Sequence, residues 1–341
     1  MPVSGADAVA IAALETLGWS SFFADQVEAD DPDCMPARIA RVHRTRLVAL
    51  SQAGEIELEL PKHTNTADYA VGDWVIVDAQ SRMLVRRLDR KTLLQRRTEG
   101  RTAQQLAAAN VDTLFIVTSC NADFNPARLE RYLALANQGE IVPVILLTKA
   151  DTADDADTYR RQAMELQRGL DVIVLDARSG EAGKILAPWC GTGSTVALVG
   201  SSGVGKSTLV NSLAGLELDA RQKTGGIRER DAKGRHTTTA RSLHAIEGGG
   251  WVIDTPGLRT LHVSDSAEGI DTLFSEITDL APNCRFRDCT HDHEPGCAVQ
   301  AAVRAGTLDA DRLARWRKLS LENRTNTPVM VGPRGNKSKG R

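Results

Sequence analysis

Thr148-Lys149-Ala150-Asp151 (TKAD) follows the apolar run IVPVILL at 141–147, and Gly200 to Ser207 (GSSGVGKS) follows STVALV at 194–199. The two stretches decide the fold when they are read together. The second has the spacing of a phosphate-binding loop, Gly200-x4-Gly205-Lys206-Ser207, between a strand and the helix KSTLVNSLAGL. The backbone N–H groups of Gly200, Ser201, Ser202, Gly203, Val204 and Gly205 curl around phosphates there. The helix N-terminus adds a favourable field for an anion. Lys206 reaches the β- and γ-phosphates, Ser207 ligates Mg²⁺, and Thr208 completes the nucleotide-binding stretch.

A phosphate loop alone fits ATPases, kinases and GTPases. TKAD selects guanine. A carboxylate at Asp151 accepts from guanine N1–H and N2–H₂ together, whereas adenine presents neither donor in that arrangement. The stem of Lys149 covers the base plane. Thr148 stands where asparagine is commoner, and Ala150 is the spacer. Asp176-Ala177-Arg178-Ser179-Gly180 follows the strand VIVL, where GTPases carry a second base loop of S-A-K type, with Asp176 in place of serine. Asp254-Thr255-Pro256-Gly257 lies 48 residues beyond Lys206 at the end of the strand WVI. Asp254 is positioned to hold Mg²⁺ through water, and the Gly257 N–H to meet the γ-phosphate. Between them GRHTTTAR (234–241) offers Thr238 and Thr239 as the switch threonine that touches Mg²⁺, and both remain open.

The base loop precedes the phosphate loop, the reverse of the usual GTPase order. A doubly wound sheet tolerates this, because all these loops lie at the carboxyl edge of its strands. The reading is a circularly permuted P-loop GTPase domain over 101–265. The D-x-x-G switch then leads directly into the C-terminal region.

Other segments supply flanking domains. About five short alternating runs (ARIARVH, RLVALS, EIELEL, DWVIVD, MLVRRL) suggest an OB-type barrel over 35–95. Residues 1–34 form a helical extension ending in an acidic turn. The stretch 219–239 reads as a mobile loop. CRFRDCTHDHEPGC gives Cys284-x4-Cys289-x-His291-x5-Cys297, a Cys₃His set for one structural Zn²⁺ in a helical domain over 266–325, with His293 as a rival to His291. Residues 326–341 are a basic flexible tail. Cys34, Cys120 and Cys190 are isolated and read as small core residues.

Bulk composition sets outer limits. A length of 341 residues allows two or three domains, and 42% hydrophobic with 25% charged residues is a globular balance. Aromatic residues at 4% exclude a wide base-stacking surface. A net charge of −2 gives no global pull toward nucleic acid, but 82–101 holds eight basic and two acidic residues, and 301–341 ten and three. Such patches are solvated faces or phosphate-contacting surfaces. No apolar run is long enough for a membrane span, and the N-terminus is a poor signal peptide. The expectation is a cytoplasmic monomer with no membrane partner.

The order TKAD, GSSGVGKS, GRHTTT, DTPG, then C-x4-C-x-H-x5-C resembles the bacterial ribosome small-subunit-dependent GTPase A family (RsgA, also called YjeQ), over about residues 35–320. The resemblance implies a GTPase that binds the small ribosomal subunit late in its assembly and is stimulated by it, with barrel and zinc domain touching rRNA. Leu258 stands where a Ras-type enzyme has glutamine, and the family carries a hydrophobic residue there. The histidine matching His236 is implied to orient the attacking water. Asp176 and the acidic segment DTADD (151–155) depart from the pattern. The competing readings are a permuted GTPase with another partner, a P-loop nucleotide kinase, and an RNA-binding module whose nucleotide site only switches.

Overall fold

The structure, a computed structural model, describes residues 5–28, 33–97, 104–214, 242–254 and 263–327. It opens with α1 (Gly5–Thr16) and the single turn α2 (Ser21–Ala24). Five strands follow: β1 (Cys34–Val42), β2 (Leu47–Ser51), β3 (Gly54–Glu57), β4 (Trp74–Asp78) and β5 (Leu84–Arg87). Each coincides with one of the five alternating runs. They pair in the order β3-β2-β1-β4-β5, and a parallel bridge between Glu59 and Met83 brings the far ends together. Alternation along β1 and β4 sends Ala37, Ile39, Val75 and Val77 into one core with Leu47, Ala49, Ile56, Leu58 and Leu84. The opposite face of β4, Trp74 and Ile76, packs under the N-terminal helices with Leu14, Leu17 and Phe23.

The hairpin β6 (Leu93–Arg97) and β7 (Gln104–Ala109) comes next and forms a sheet of its own. Its alanine-rich second strand carries little β-propensity, and sequence periodicity did not announce it. The strands β8 (Thr113–Ser119), β9 (Val142–Thr148), β10 (Asp171–Val174), β11 (Thr195–Gly200), β12 (Ser242–Ala245) and β13 (Trp251–Asp254) follow the expected rhythm. Their order is β10-β9-β8-β11-β13-β12, parallel except for β12. Strands β8 to β10 run outward one way, and β11 returns to the other side of β8. The topological switch point therefore lies between β8 and β11, where such sheets bind ligands.

Helices cover both faces. On one face α5 (Ala182–Leu186) and α6 (Lys206–Leu213) bury Leu186, Leu209 and Leu213 against β11 and β13. On the other lie α3 (Pro126–Gln138), α4 (Ala156–Met164) and the C-terminal helices α7 (Ala267–Leu273), α8 (Ser275–Thr278), α9 (Ala298–Arg304) and α10 (Ala310–Asn326). Asn125 caps α3 by accepting from the Arg128 N–H at 3.0 Å, and Pro126 opens it, as the sequence required.

The two sheets are joined. Arg41 of β1 pairs with Ser242 of β12, so strands β1 to β5 extend the sheet of β8 to β13. Beneath this seam Arg38 is 1% exposed. Its guanidinium donates to the carbonyls of Leu17 (2.5 Å) and Asn110 (3.3 Å) and to Thr195 Oγ1 (2.8 Å), linking α1, β1 and the start of β11. Burial lowers its pKa to about 10, against the raising effect of Asp112 and Asp73. No helix among the described residues is long and apolar enough to cross a membrane.

Candidate functional site

The three loops of the reading leave the carboxyl ends of β9, β10 and β11, and they touch one another. Thr148, the last residue of β9, is buried, and its hydroxyl lies 2.8 Å from the Val204 carbonyl and 3.1 Å from that of Thr118. The TKAD loop is thus tied to the phosphate loop. Lys149 adopts the left-handed region (φ 56°) and turns the chain into the short 3₁₀ turn Ala150–Thr152, which leaves Lys149 and Asp151 exposed.

Gly205 (φ 99°) starts α6. A Cβ there would lie 3.3 Å from the Ala177 methyl and 3.9 Å from Thr148 Cγ2, so all three loops meet at this glycine. Gly200 is required for a different reason: its Cβ would fall 2.1 Å from the Val117 carbonyl of β8. The Lys206 ammonium folds over the loop, donating to the carbonyl of Gly200 at 2.8 Å and to that of Ser201. Ser207 stands exposed in the first turn of α6. Ser212 of α6 donates to the Ala177 carbonyl at 3.3 Å and holds the second base loop in place. The helix N-terminus, a run of loop N–H groups and an ammonium together suit a polyphosphate.

Asp254 ends β13, the neighbour of β11, and its backbone pairs with Ser242. Its side chain lies outside what the structure describes, as do His236, Thr238, Thr239, Gly257, Leu258, the whole loop 219–239 and the tail from 328 onward.

The second cluster is Cys284, Cys289, His291 and Cys297, whose ligand atoms lie within 4.8 Å of one another. Cys284 Sγ is 3.5 Å from His291 Nδ1 and 3.8 Å from Cys297 Sγ, and Cys297 Sγ is 3.5 Å from the same nitrogen. A tetrahedral ion with ordinary zinc bond lengths needs S···S of about 3.8 Å and S···N of about 3.5 Å, so the donor set fits. His291 is the ligand that the sequence left open against His293. His293 is exposed and pairs with Asp292, whereas His291 is buried against Trp316 of α10. Burial holds the His291 ring below the ordinary imidazole pKa, which favours the neutral, ligating form. The Cys289 thiol is pushed up to about 12, first by burial and then by its neighbouring thiols. For Cys284 burial opposes ionisation, but N–H groups of Ala298 and Val299 and the adjoining thiols bring its pKa below the usual value. The cysteines are free of disulfides, which leaves the three thiols available to a cation.

Much of the basic stretch 82–101 is used inside the protein. Arg90 makes a two-pronged pair with the fully buried Asp73 carboxylate (2.6 and 2.8 Å), Arg86 donates to the Gln26 carbonyl (2.7 Å), and Arg87 to that of Asp68 (2.8 Å). Sequence reasoning also missed Glu130 of α3, which receives Arg312 and Arg315 of α10, both at 2.8 Å. The available signal was a lone glutamate inside the apolar run LERYLALA.

A family model described as RsgA GTPase matches residues 87–264. The chain belongs to the RsgA GTPase family. It is an enzyme of GTP hydrolysis. The small ribosomal subunit biogenesis GTPase RsgA of Mesorhizobium japonicum is 67% identical over 338 residues, which cover 99% of this chain and 98% of that protein. The small ribosomal subunit biogenesis GTPase RsgA 2 of Vibrio parahaemolyticus is 45% identical, over 94% of this chain and 88% of its own. Among solved structures, YjeQ from Thermotoga maritima has a TM-score of 0.61 at 24% identity, covering 85% of this chain and 98% of that one. YloQ, described as a circularly permuted GTPase, also has a TM-score of 0.61 at 24% identity, covering 89% and 100%. These two share the RsgA fold.

Proposed function

We propose that this GTPase acts in the biogenesis of the small ribosomal subunit, the role named for its relatives, and that the subunit and its rRNA stimulate its turnover. The meeting of the TKAD, second base and phosphate loops at Gly205 carries the nucleotide part of this reading. In it Asp151 reads guanine, Lys149 covers the base, Thr148 and Ala150 set the loop, and 200–208 with Lys206 hold the phosphates. Mg²⁺, when bound with GTP, neutralises phosphate charge. Ser207, Asp254 and Thr238 or Thr239 are the oxygen donors to hold it, a set suited to a hard cation. Gly257 faces the γ-phosphate, and His236 orients the attacking water because Leu258 has no polar group. The metal of the Cys₃His cluster is one structural Zn²⁺.

The same proposal divides the chain into an extension (1–34), an OB-type barrel (35–95), the permuted GTPase domain (101–265), a zinc domain (266–325) and a tail (326–341). The strand order β3-β2-β1-β4-β5 with its parallel Glu59–Met83 bridge supports the OB reading. Its rRNA partner and its action as a cytoplasmic monomer belong to the proposal.

Single-turnover GTP hydrolysis with and without purified small subunits tests it. Subunits are expected to accelerate turnover, and His236→Ala to lose about 10²-fold of the stimulated rate with GTP affinity unchanged. No acceleration by subunits would refute the ribosomal reading. A fully stimulated His236→Ala protein would refute the histidine's role alone.

A further inference from the structure

The metal loop presents its histidine from a costly backbone. His291 sits in the left-handed region (φ 58°), which a residue carrying a Cβ adopts only when its surroundings hold it there. They do so from two sides. On one side the half-buried Glu294 gathers donors from the residues that flank the histidine. Its Oε1 accepts the Thr290 N–H at 2.7 Å and the Thr290 hydroxyl at 2.5 Å. Its Oε2 accepts the N–H groups of Asp292 at 2.9 Å and His293 at 3.2 Å. On the other side the His291 carbonyl accepts the Gln300 amide of α9 at 2.7 Å and the Arg317 guanidinium of α10. The His291 Nδ1 then stands 3.5 Å from the sulfurs of both Cys284 and Cys297.

We propose that Glu294 is a positioning residue for the metal centre: by binding the N–H groups on both flanks of His291, it fixes that residue's left-handed backbone and so aims the imidazole at the three thiols. The inference rests on the metal reading above. An ionised carboxylate only accepts, and its two oxygens have room for all the donors that converge here. Glutamine would keep one oxygen for Thr290 and set its NH₂ against the N–H groups of Asp292 and His293. Alanine would release those groups to water, and the ion itself would then have to order the histidine arm.

The test is the Zn²⁺ affinity of the full-length chain, by competition with a chelating dye, for wild type, Glu294→Ala, His291→Ala and the double variant. Glu294→Ala is expected to bind Zn²⁺ about 10- to 100-fold more weakly, the range for losing a group that orients a metal ligand. In the His291→Ala background the same change should cost less than about threefold, because the residue it acts through is gone. With Co²⁺ in place of Zn²⁺, the visible bands of Glu294→Ala should move toward those of His291→Ala as water replaces the imidazole. An equal loss in both backgrounds, or wild-type bands in Glu294→Ala, would overturn the inference. GDP titration checks that the chain is folded. If Glu294→Ala fails that check, Glu294→Gln replaces it in the same cycle, and the same outcomes decide. If wild type takes up neither Zn²⁺ nor Co²⁺, the metal reading itself fails. If wild type takes up the ion and Glu294→Ala binds it equally well, only the role of Glu294 falls.

Discussion

One hydroxyl, on Thr148, links loops that stand 56 residues apart in the chain. Asparagine, the commoner residue here, would offer two N–H donors. Threonine offers one, and both carbonyls within reach belong to the protein. On the proposed reading, guanine selection then falls on Asp151, three residues on. Asp151→Asn exchanges one acceptor for a donor against guanine's two donors, so GDP affinity should drop and xanthosine diphosphate affinity rise, as read by titration. Unchanged GDP binding would remove Asp151 from base recognition. Gly205 makes a second prediction at this scale. Alanine at φ 99° costs about 1–2 kcal/mol of backbone strain and presses on Ala177. Gly205→Ala should therefore weaken GDP by about tenfold or more, since the strain sits where all three loops meet.

Helices α3 and α10 are the elements that fasten the C-terminal region to the nucleotide domain. Glu130, buried in α3, accepts from Arg312 and Arg315; Arg312 also pairs with Glu276 at 2.7 Å and lies 4.0 Å over the Phe274 ring. Arg131, the next residue, pairs with Glu322 at 2.6 Å. The far end of α10 continues the attachment: Asn323 accepts from the Ser266 N–H at 2.9 Å, and Glu322 from that of Val263 at 3.3 Å. Glu130→Ala leaves the buried Arg312 short of a partner and should cost about 3–5 kcal/mol, measured by urea unfolding. A loss under about 1 kcal/mol would mean that Glu276 and the Phe274 ring suffice. The metal loop sits on the same helix, through Trp316 on His291 and Arg317 on the His291 carbonyl. Native mass spectrometry should find one Zn²⁺ per chain, absent in Cys289→Ser. Chelation should expose 284–297 to hydrogen exchange, because ligand binding and local folding are coupled. Metal-free protein with an equally protected loop would show that the loop folds without the ion.

At the scale of the whole molecule the N-terminal helices, strands β1 to β5 and the sheet of β8 to β13 are connected. The Trp251 indole of β13 donates to the Thr16 carbonyl at 2.7 Å, and Arg38 reaches the next residue, Leu17. Arg38→Met keeps much of the side-chain volume but strands the carbonyls of Leu17 and Asn110. It should lower stability by about 2–6 kcal/mol, at 1–3 for each unsatisfied group, read from the urea midpoint. A near-neutral substitution would mean that the seam is held by the aromatic packing of Trp19, Phe23 and Trp74 alone. The proposed ribosomal role is tested at this scale by co-sedimentation with small subunits. Binding is expected with a non-hydrolysable GTP analogue and should weaken with GDP.

The sequence alone determined the parts whose chemistry is local. A phosphate loop, a helix cap at Asn125, the strand runs and a Cys₃His spacing each need residues within a few positions of one another, and backbone geometry does the rest. The permuted order was legible for the same reason: each motif can be recognised in place and then counted along the chain. Tertiary structure decided what depends on distant partners. It selected His291 over His293 by burying one ring against Trp316 and leaving the other in water. It formed the β6–β7 hairpin from a strand of weak propensity. It turned arginines of a basic stretch into internal ties, and it buried Arg38 in a strand whose alternation pointed it outward, because β1 pairs with β2 and β4 along its length and with β12 at its end. A charge looks solvated in sequence until a second element supplies its acceptors, and for Arg38 the farthest of them lies 157 residues away.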